Sequence, residues 1–484
     1  MARHGSADAA PHAAANNPRD ERRSTGDIIS ASNLPLPHRV LIITYLFPPS
    51  GGIGPPRYVA YTRHLRDHGC EVSVITAKNP NTPLYDPGLG KMVPPETRVH
   101  RVFNPDVPYA LRDKIWKKIT AGAGANKALG QPDQAAAAGN NGRPGGLMPA
   151  VKRLAKGLIE RVFNPDVQRF WVPFVLRRAR QVIRDEGIQT VILNTPPFSL
   201  HGIIPPLKRE FPHLKWITEV RDDWIGYYLE NFDSAANQAK RQLAVRMEGA
   251  GMRASDYVVA VTPTNRDDIR ARYPDQPNSK FICIPNGYDA DLYEDFHPTR
   301  QGRDNMVIAY FGSLYASPPY DIRGFLEAAD ALPDEIRSRI ELQFIGRVAA
   351  EAKPILQGRK TKIVEVGFLP RAEGVNRLAH CDYLLQPAND PTQHAGKLFD
   401  YLATGLPIIA LSPAGSEVAR LIAETRGGVT VDGRDIPGIQ KMLTAALARL
   451  EGKPSPFPDP DREAAAQFER SRLVARMVKL TGIA

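Results

Sequence analysis

Two short stretches hold residues of the types and spacing that grip an anion. The first, residues 48–57, reads Pro-Pro-Ser-Gly-Gly-Ile-Gly-Pro-Pro-Arg. Its glycines stand between an apolar run and a helix, where backbone amides and the positive end of the helix dipole meet an anionic ligand. Gly52-x-Gly54 has the opening of a dinucleotide fingerprint. Arg57, however, fills the third glycine position, and Glu71 precedes the second strand, whereas a ribose-binding acid should follow it. A dehydrogenase is set aside on those grounds, and a tight turn without ligand is the plain alternative. The second stretch, residues 393–407, contains Gly396 and Lys397 at a helix start, so amides and an ammonium converge where a diphosphate can sit. Asp400 follows one turn later on the same side, suited to accept hydrogen bonds from ribose hydroxyls. Here the plain alternative is a helix cap with a local Lys/Asp pair.

These stretches must be positioned by elements, and the chain is long enough to build them. With 484 residues, 42% hydrophobic and 24% charged, it predicts two or three domains of about 150 residues each. Continuous apolar runs of the kind a strand buried on both faces needs occur at 40–45, 71–76, 190–193, 215–220 and 257–261, with helical stretches between them. The pattern restarts after residue 287, with strands at 307–311, 342–345, 362–366, 383–386, 407–411 and 428–431. The fold class is therefore α/β, each half a doubly wound parallel sheet. An amphipathic stretch at 462–480, with Phe468, Leu473, Met477 and Leu480 on its apolar face, needs a surface to cover.

Residues 1–36 lack periodicity and read as a disordered tail. Residues 121–150 contain nine Ala and seven Gly with no aromatic residue, a composition that reads as a flexible insertion, here placed at about 108–160. The heptapeptide Arg-Val-Phe-Asn-Pro-Asp-Val occurs at 101–107 and again at 161–167, which reads as a local duplication. The formal net charge is +11, and residues 101–185 alone carry 16 Lys/Arg against 6 Asp/Glu. The excess is thus one regional patch. Within it, 109–119 and 147–163 read as basic helices. In the second, Val151, Leu154, Leu158 and Val162 share a face and Lys152, Arg153, Lys156 and Arg161 cover the rest. Such a helix suits an anionic lipid surface, or packs its apolar face on its own domain. Cys70, Cys283 and Cys381 are too scattered for a metal cluster and too few for a disulfide framework, which points to a reducing compartment. The longest early apolar run, 40–47, is far below the ~20 residues of a membrane span. The expected location is cytoplasmic, with any contact at the inner face of the plasma membrane peripheral.

Taken in order, the motifs resemble a known family. Phe-Pro-Pro-x-Gly-Gly-x-Gly after the first strand, Glu219-Val-Arg-Asp-Asp-Trp224, Ala254-Ser-Asp256, Ile284-Pro-Asn-Gly-Tyr-Asp289, Phe311-Gly-Ser-Leu-Tyr315 and Gly396-Lys-Leu-Phe-Asp-Tyr-Leu402 are similar to those of the family-four retaining glycosyltransferases. The resemblance runs from about residue 40 to 450. It implies the GT-B fold, with two Rossmann-like domains facing across a cleft and a C-terminal helix returning to the first. Residues 37–285 would form the acceptor domain, 286–455 the nucleotide-sugar domain and 456–484 the crossover. It implies donor contacts from Gly51, Gly52, Ser313, Arg347, Gly396, Lys397, Leu398 and Asp400, with Asp400 where the family usually has a ribose-binding Glu. Asp222 would orient an acceptor hydroxyl, and Arg57, Arg221 and Trp224 would line the acceptor side. Arg221 is equally read as a structural ion-pair partner.

The chain departs from the family at Thr392, where a first Glu is usual, and at Ser313, where an Arg is. Lys397, with Arg323 or Arg347, must then supply the phosphate's positive partner. The resemblance implies transfer with retention by front-face attack, no obligatory protein nucleophile, no metal and no cofactor beyond the nucleotide sugar. Loss of a nucleoside diphosphate needs charge stabilisation more than a strong base. The expected partners are a nucleotide sugar and a glycan or lipid-linked acceptor of surface polysaccharide or glycoconjugate synthesis. A GT-B scaffold without turnover, acting in binding or assembly, is the alternative motivated by the missing Glu and Arg. A nucleic-acid binder is set aside, because the basic segment has no RNP-like, helix-turn-helix or aromatic-stacking motif beside it.

Overall fold

A computed structural model describes residues 37–52, 54–80, 82, 84–105, 164–229, 238–300, 302–316 and 320–483. The expected tail at 1–36, the insertion at about 108–160 and both basic helices lie outside the described residues. Among those described, no helix is long and apolar enough to cross a membrane.

The first sheet is built from β1 (His38–Ile43), β2 (Cys70–Ala77), β3 (Arg98–Val102), β4 (Thr190–Thr195), β5 (Lys215–Val220), β6 (Tyr257–Ala260) and β7 (Phe281–Cys283). Its order is β3-β2-β1-β4-β5-β6-β7, all parallel. The direction of winding reverses between β1 and β4, which opens a crevice at the carboxyl ends of these strands. Helices α1 (Pro55–His64), α2 (Val172–Asp185), α3 (Gln238–Ala254) and α4 (Pro263–Arg272) cover it. Val40, Leu41, Ile42 and Ile43 are all fully buried, because successive side chains of β1 enter the layers on opposite faces. Helix α1 begins with two prolines, which preset φ and lack the amide that would be orphaned there.

The second sheet contains β8 (Met306–Phe311), β9 (Ile340–Ile345), β10 (Lys362–Gly367), β11 (Tyr383–Pro387), β12 (Ile408–Leu411) and β13 (Gly428–Val431). Its order, β10-β9-β8-β11-β12-β13, repeats the reversal, here between β8 and β11. Helices α5 (Arg323–Asp330), α6 (Arg371–Leu378), α7 (Lys397–Thr404), α8 (Glu417–Glu424) and α9 (Ile436–Leu450) flank it. Gly405 closes α7 in the left-handed conformation at φ 66°, which a side chain there would oppose.

The amphipathic stretch at 462–480 is not one helix. It breaks into Arg462–Ala466 and α10 (Arg470–Thr481), because the backbone between them pairs with the domain linker. The Tyr288 amide donates to Phe468 O at 3.2 Å and the Arg470 amide to Tyr288 O at 3.0 Å. The two pieces serve different cores. Phe468 packs with Phe399 and Tyr401 of the second domain, whereas Leu473, Val474 and Met477 pack with Tyr58, Val59 and Ile42 of the first. The crossover back to the first domain is thus present.

His201 is 1% exposed, its ring parallel to Trp224 at 6.0 Å between centroids. Neither ring nitrogen has a partner among the described residues, and burial pushes its pKa down to about 3. The folded protein therefore keeps the ring neutral while the unfolded chain protonates it near pH 6.5. Stability is lost as pH falls from about 6.5 toward 3, by about 2 kcal/mol at pH 5 from this group alone. Glu248, which burial lifts to about 7, has the opposite slope between about 4.5 and 7, so the comparison must be differential. His201→Phe is expected to flatten the acid side of the thermal-melting curve relative to the native chain; parallel curves between pH 7 and 5 would refute this account.

Candidate functional site

Gly396 precedes α7 with no side chain capping the helix. The amides of Leu398 and Phe399 turn back onto Ala395 O and Gly396 O at 3.0 and 3.2 Å. Those of Gly396 and Lys397 have no partner among the described residues and remain to meet a ligand. Leu398, expected to share in the anion contact, is therefore corrected. Its amide is used and its side chain is wholly buried in the second core.

The Lys397 ammonium stands 3.5 Å from the ring centroid of Tyr310 and 6.0 Å from that of Tyr320. It has no ion pair among the described residues, and burial holds its pKa well below the ordinary lysine range. Two loops shape this space. Tyr310 is oriented by its hydroxyl, which donates to Ser313 O at 2.8 Å. Gly312, at φ 126°, passes so close that a Cβ would lie 3.6 Å from Lys397 Cδ. A Cβ on Gly346 would come within 2.3 Å of Gly312 O, so the loops after β8 and β9 touch only because residue 346 lacks a side chain. Ser313 thus enters the site through its carbonyl. Arg347 accepts the Leu314 amide at 2.8 Å on its carbonyl, and its side chain is exposed. Arg323 pairs with Asp321 at 2.9 Å.

Asp400 lies one turn beyond Lys397 but does not pair with it. Its Oδ1 accepts from Tyr293 Oη at 2.8 Å and from Arg371 at 2.5 Å. A ribose hydroxyl would find Oδ1 occupied and only Oδ2 open.

On the first domain, residues 49–51 zip onto 84–86. Gly51 N donates to Leu84 O at 3.0 Å, Asp86 N to Pro49 O at 2.8 Å, and Ser50 bridges Tyr85. Gly52 has φ 100°. The Arg221 guanidinium lies over Gly54, where a Cβ would be 2.5 Å from Nη1, and it forms no ion pair among the described residues. Its reading as a structural ion-pair partner finds no support in that geometry.

Arg57 and Trp224 require correction. Arg57 is buried, with Nε on Glu219 Oε1, Nη1 on Pro285 O at 2.6 Å and Nη2 on Ile284 O at 2.9 Å. It ties α1 to β5 and to the domain linker and presents nothing to an acceptor. Trp224 is 2% exposed and stacks on Phe198 at 5.0 Å, a core ring where a cleft wall was expected. The neighbouring Asp223 is likewise internal, held by Arg272 at 2.5 and 2.9 Å.

Asp222 turns the other way. It makes no hydrogen bond among the described residues, and burial raises its pKa against the opposing pull of Arg221. After burial, Asp390, then Tyr320 and Asp222, push the phenol of Tyr227 upward, and Asp222, then Asp390, that of Tyr320. Asp222 and Tyr227 follow β5 of the first domain, whereas Tyr320 and Asp390 follow β8 and β11 of the second, so the four groups face one space between domains. The sequence reading missed Tyr310, Tyr320, Tyr227 and Asp390. The signal for Asp390 was available, since an Asp before Pro391-Thr392 suits a side-chain turn. Its Oδ1 accepts from Thr392 N and Oγ1, both at 2.7 Å, and from Gln393 N at 3.1 Å.

The arrangement can hold a diphosphate by two amides and one ammonium, beside a carboxylate with no hydrogen bond of its own. Residues 54–287 match the family model of the glycosyl transferase 4-like domain. Three solved structures share the architecture. The α,α-trehalose 6-phosphate synthase of Burkholderia multivorans is 12% identical, with TM-score 0.55, over 92% of this chain and 98% of that one. A TarM variant of S. aureus, in complex with fondaparinux, α-GlcNAc-glycerol and UDP, is 10% identical, with TM-score 0.53, over 92% and 99%. A glycosyltransferase of Rickettsia africae is 11% identical, with TM-score 0.53, over 92% and 98%. No curated protein sequence matches this chain.

Proposed function

We propose that this chain, with a glycosyl transferase 4-like domain at residues 54–287 and GT-B architecture, is a glycosyltransferase that moves a sugar from a nucleoside diphosphate sugar to a glycan or lipid-linked acceptor with retention. The observation that carries this reading is Lys397, a half-buried cation over Tyr310 with no carboxylate partner among the described residues, beside the amides of Gly396 and Lys397, which are unpaired among them. An ammonium held that way is completed by a dianion. The same groups would stabilise the diphosphate as it departs, which is where negative charge develops. Asp222, across the cleft, would orient the acceptor hydroxyl, whose proton passes to the leaving phosphate. No metal is assigned to these steps. The TarM complex, which includes UDP, supports a nucleotide on this fold, not the choice of base here.

The direct test is calorimetric titration of the native chain with UDP, ADP and GDP. Binding of at least one is expected, and binding of none would end this reading. Asp222→Asn is expected to leave that binding unchanged while lowering turnover by roughly 10²-fold, the scale of a lost proton-handling or orienting group, read as nucleoside diphosphate release. A glycosyl adduct trapped on Asp222 would overturn its assigned role. The residues Thr392 and Ser313, where the family usually has a Glu and an Arg, favour a second reading, a GT-B scaffold without turnover that acts in binding or assembly. Binding without hydrolysis or transfer across a panel of nucleotide sugars would select it. We place the work of the enzyme in surface polysaccharide or glycoconjugate synthesis. It would stand at the inner face of the plasma membrane, with the basic segments 109–119 and 147–163 meeting the anionic leaflet.

A further inference from the structure

The loop that runs into Gly396 and Lys397 is held from both domains. From its own side, Glu417 N donates to Pro391 O at 2.9 Å, and Asp390 Oδ1 ties down residues 392 and 393. From the first domain, Thr262 Oγ1 donates to Thr392 O at 3.0 Å, and Gln393 Nε2 donates to Asn265 Oδ1 at 3.3 Å. The Thr262 hydroxyl is used twice, because it also caps α4 by accepting from Asn265 N at 3.1 Å.

The strongest tie is a pair of charge-assisted hydrogen bonds. Glu417, the first residue of α8 and 5% exposed, sends Oε1 across to the start of α4. There it accepts from Thr264 N at 2.8 Å and from Thr264 Oγ1, while Arg420 closes over it from the solvent side. A carboxylate at the amino end of a helix takes both an orphan amide and the favourable end of the dipole. In this case carboxylate and helix belong to different domains.

We propose that Glu417 is a positioning residue: by docking on the amino end of α4 it holds loop 390–396 against the first domain and so sets the anion cradle of Gly396 and Lys397. The inference rests on the reading of that cradle as the donor diphosphate site. A consequence follows that a purely local role of Glu417 does not share. Thr264 and Thr262 belong to the first domain and touch no part of the cradle, yet loosening them weakens whatever the cradle binds.

The test uses the full chain with Glu417→Ala, Thr264→Val and the double variant. Affinity for the best binder among UDP, ADP and GDP is read by calorimetry, and amide exchange is read by mass spectrometry. Each single variant is expected to weaken binding about tenfold, and the double variant to be no worse than either single one, because both remove one contact. Glu417→Ala should speed exchange in the first-domain peptide spanning 263–266 as well as in 391–396. Glu417→Gln, which still accepts from Thr264, should restore most of both. Unchanged exchange at 263–266, or additive losses of affinity, would overturn the inference and leave Glu417 only its pairing with Arg420 within α8. If the native chain binds none of the three nucleotides, the functional reading fails, while the exchange experiment still decides whether the domains are tied here.

Discussion

Lys397→Met is expected to weaken nucleoside diphosphate binding roughly 10²-fold while making the protein more stable. The two signs come from one fact. The ammonium has no ion pair among the described residues, is half-buried and rests on the face of Tyr310 at 3.5 Å, so without a bound anion the protein bears a partial desolvation of the charge that only the ring offsets. Burying an unpaired polar or charged group costs a few kcal/mol, less what the ring returns, which at such sites is about 2 kcal/mol. Methionine fills the same volume without the charge, so thermal stability should rise. With diphosphate present the balance reverses. A charge-assisted contact in a water-poor site contributes about 1.5–3 kcal/mol, so affinity should fall by roughly 10²-fold. Lys397→Arg keeps a cation over Tyr310 but replaces a compact ammonium with a planar guanidinium, so it should restore only part of the affinity. The pair of measurements is a thermal melt and a calorimetric titration. Unchanged affinity would remove Lys397 from the site, and lowered stability would show that its charge is satisfied internally.

The second large effect is structural. Arg57→Ala should destabilise the first domain by about 3–5 kcal/mol, the usual result of breaking a buried ion pair from one side. Three groups lose their donor together: Glu219 Oε1, Ile284 O and Pro285 O. Glu219 Oε2 already lacks a partner among the described residues, so the carboxylate would keep only Tyr61 Oη at 3.1 Å. The double variant Arg57→Met with Glu219→Leu should recover much of the loss, because removing both charges spares the stranded carboxylate. Urea unfolding followed by exchange in β1 and β5 measures this. A loss under about 1 kcal/mol for Arg57→Ala would return the residue to the acceptor surface.

Arg57 also shows where sequence reading stops. An Arg in a glycine loop at a helix start looks like an anion or acceptor contact. Its true partner, Glu219, is 162 residues away and enters only when β5 is laid beside β4. Trp224 failed for a similar reason, since an aromatic residue in a turn carries no sign of which way it points. Leu398 was more legible than it was made: with Tyr401 and Leu402 it shares the buried face of α7, and helical spacing alone shows that. The buried strands were readable because uninterrupted apolar runs have few other uses. The edge strand β3 was missed, since Arg98, His100 and Arg101 give it no apolar run, and β7 is only three residues long. The places of Lys397 at a helix start and Asp222 at a strand end were legible, and such places are where parallel sheets put ligands. The company they keep, Tyr310, Tyr320 and Tyr227, depends on loops from both domains and had no local signature.

The split destination of residues 468–481 bears on the order in which the protein can be made. Leu473, Val474 and Met477 complete the packing over Tyr58, Val59 and Ile42, yet they emerge from the ribosome after the whole second domain. During synthesis the first domain must therefore wait with that face of α1 uncovered, an apolar surface open to chaperones and to aggregation. Closing it is among the last acts of folding, because the residues that do so are made only after the whole second domain.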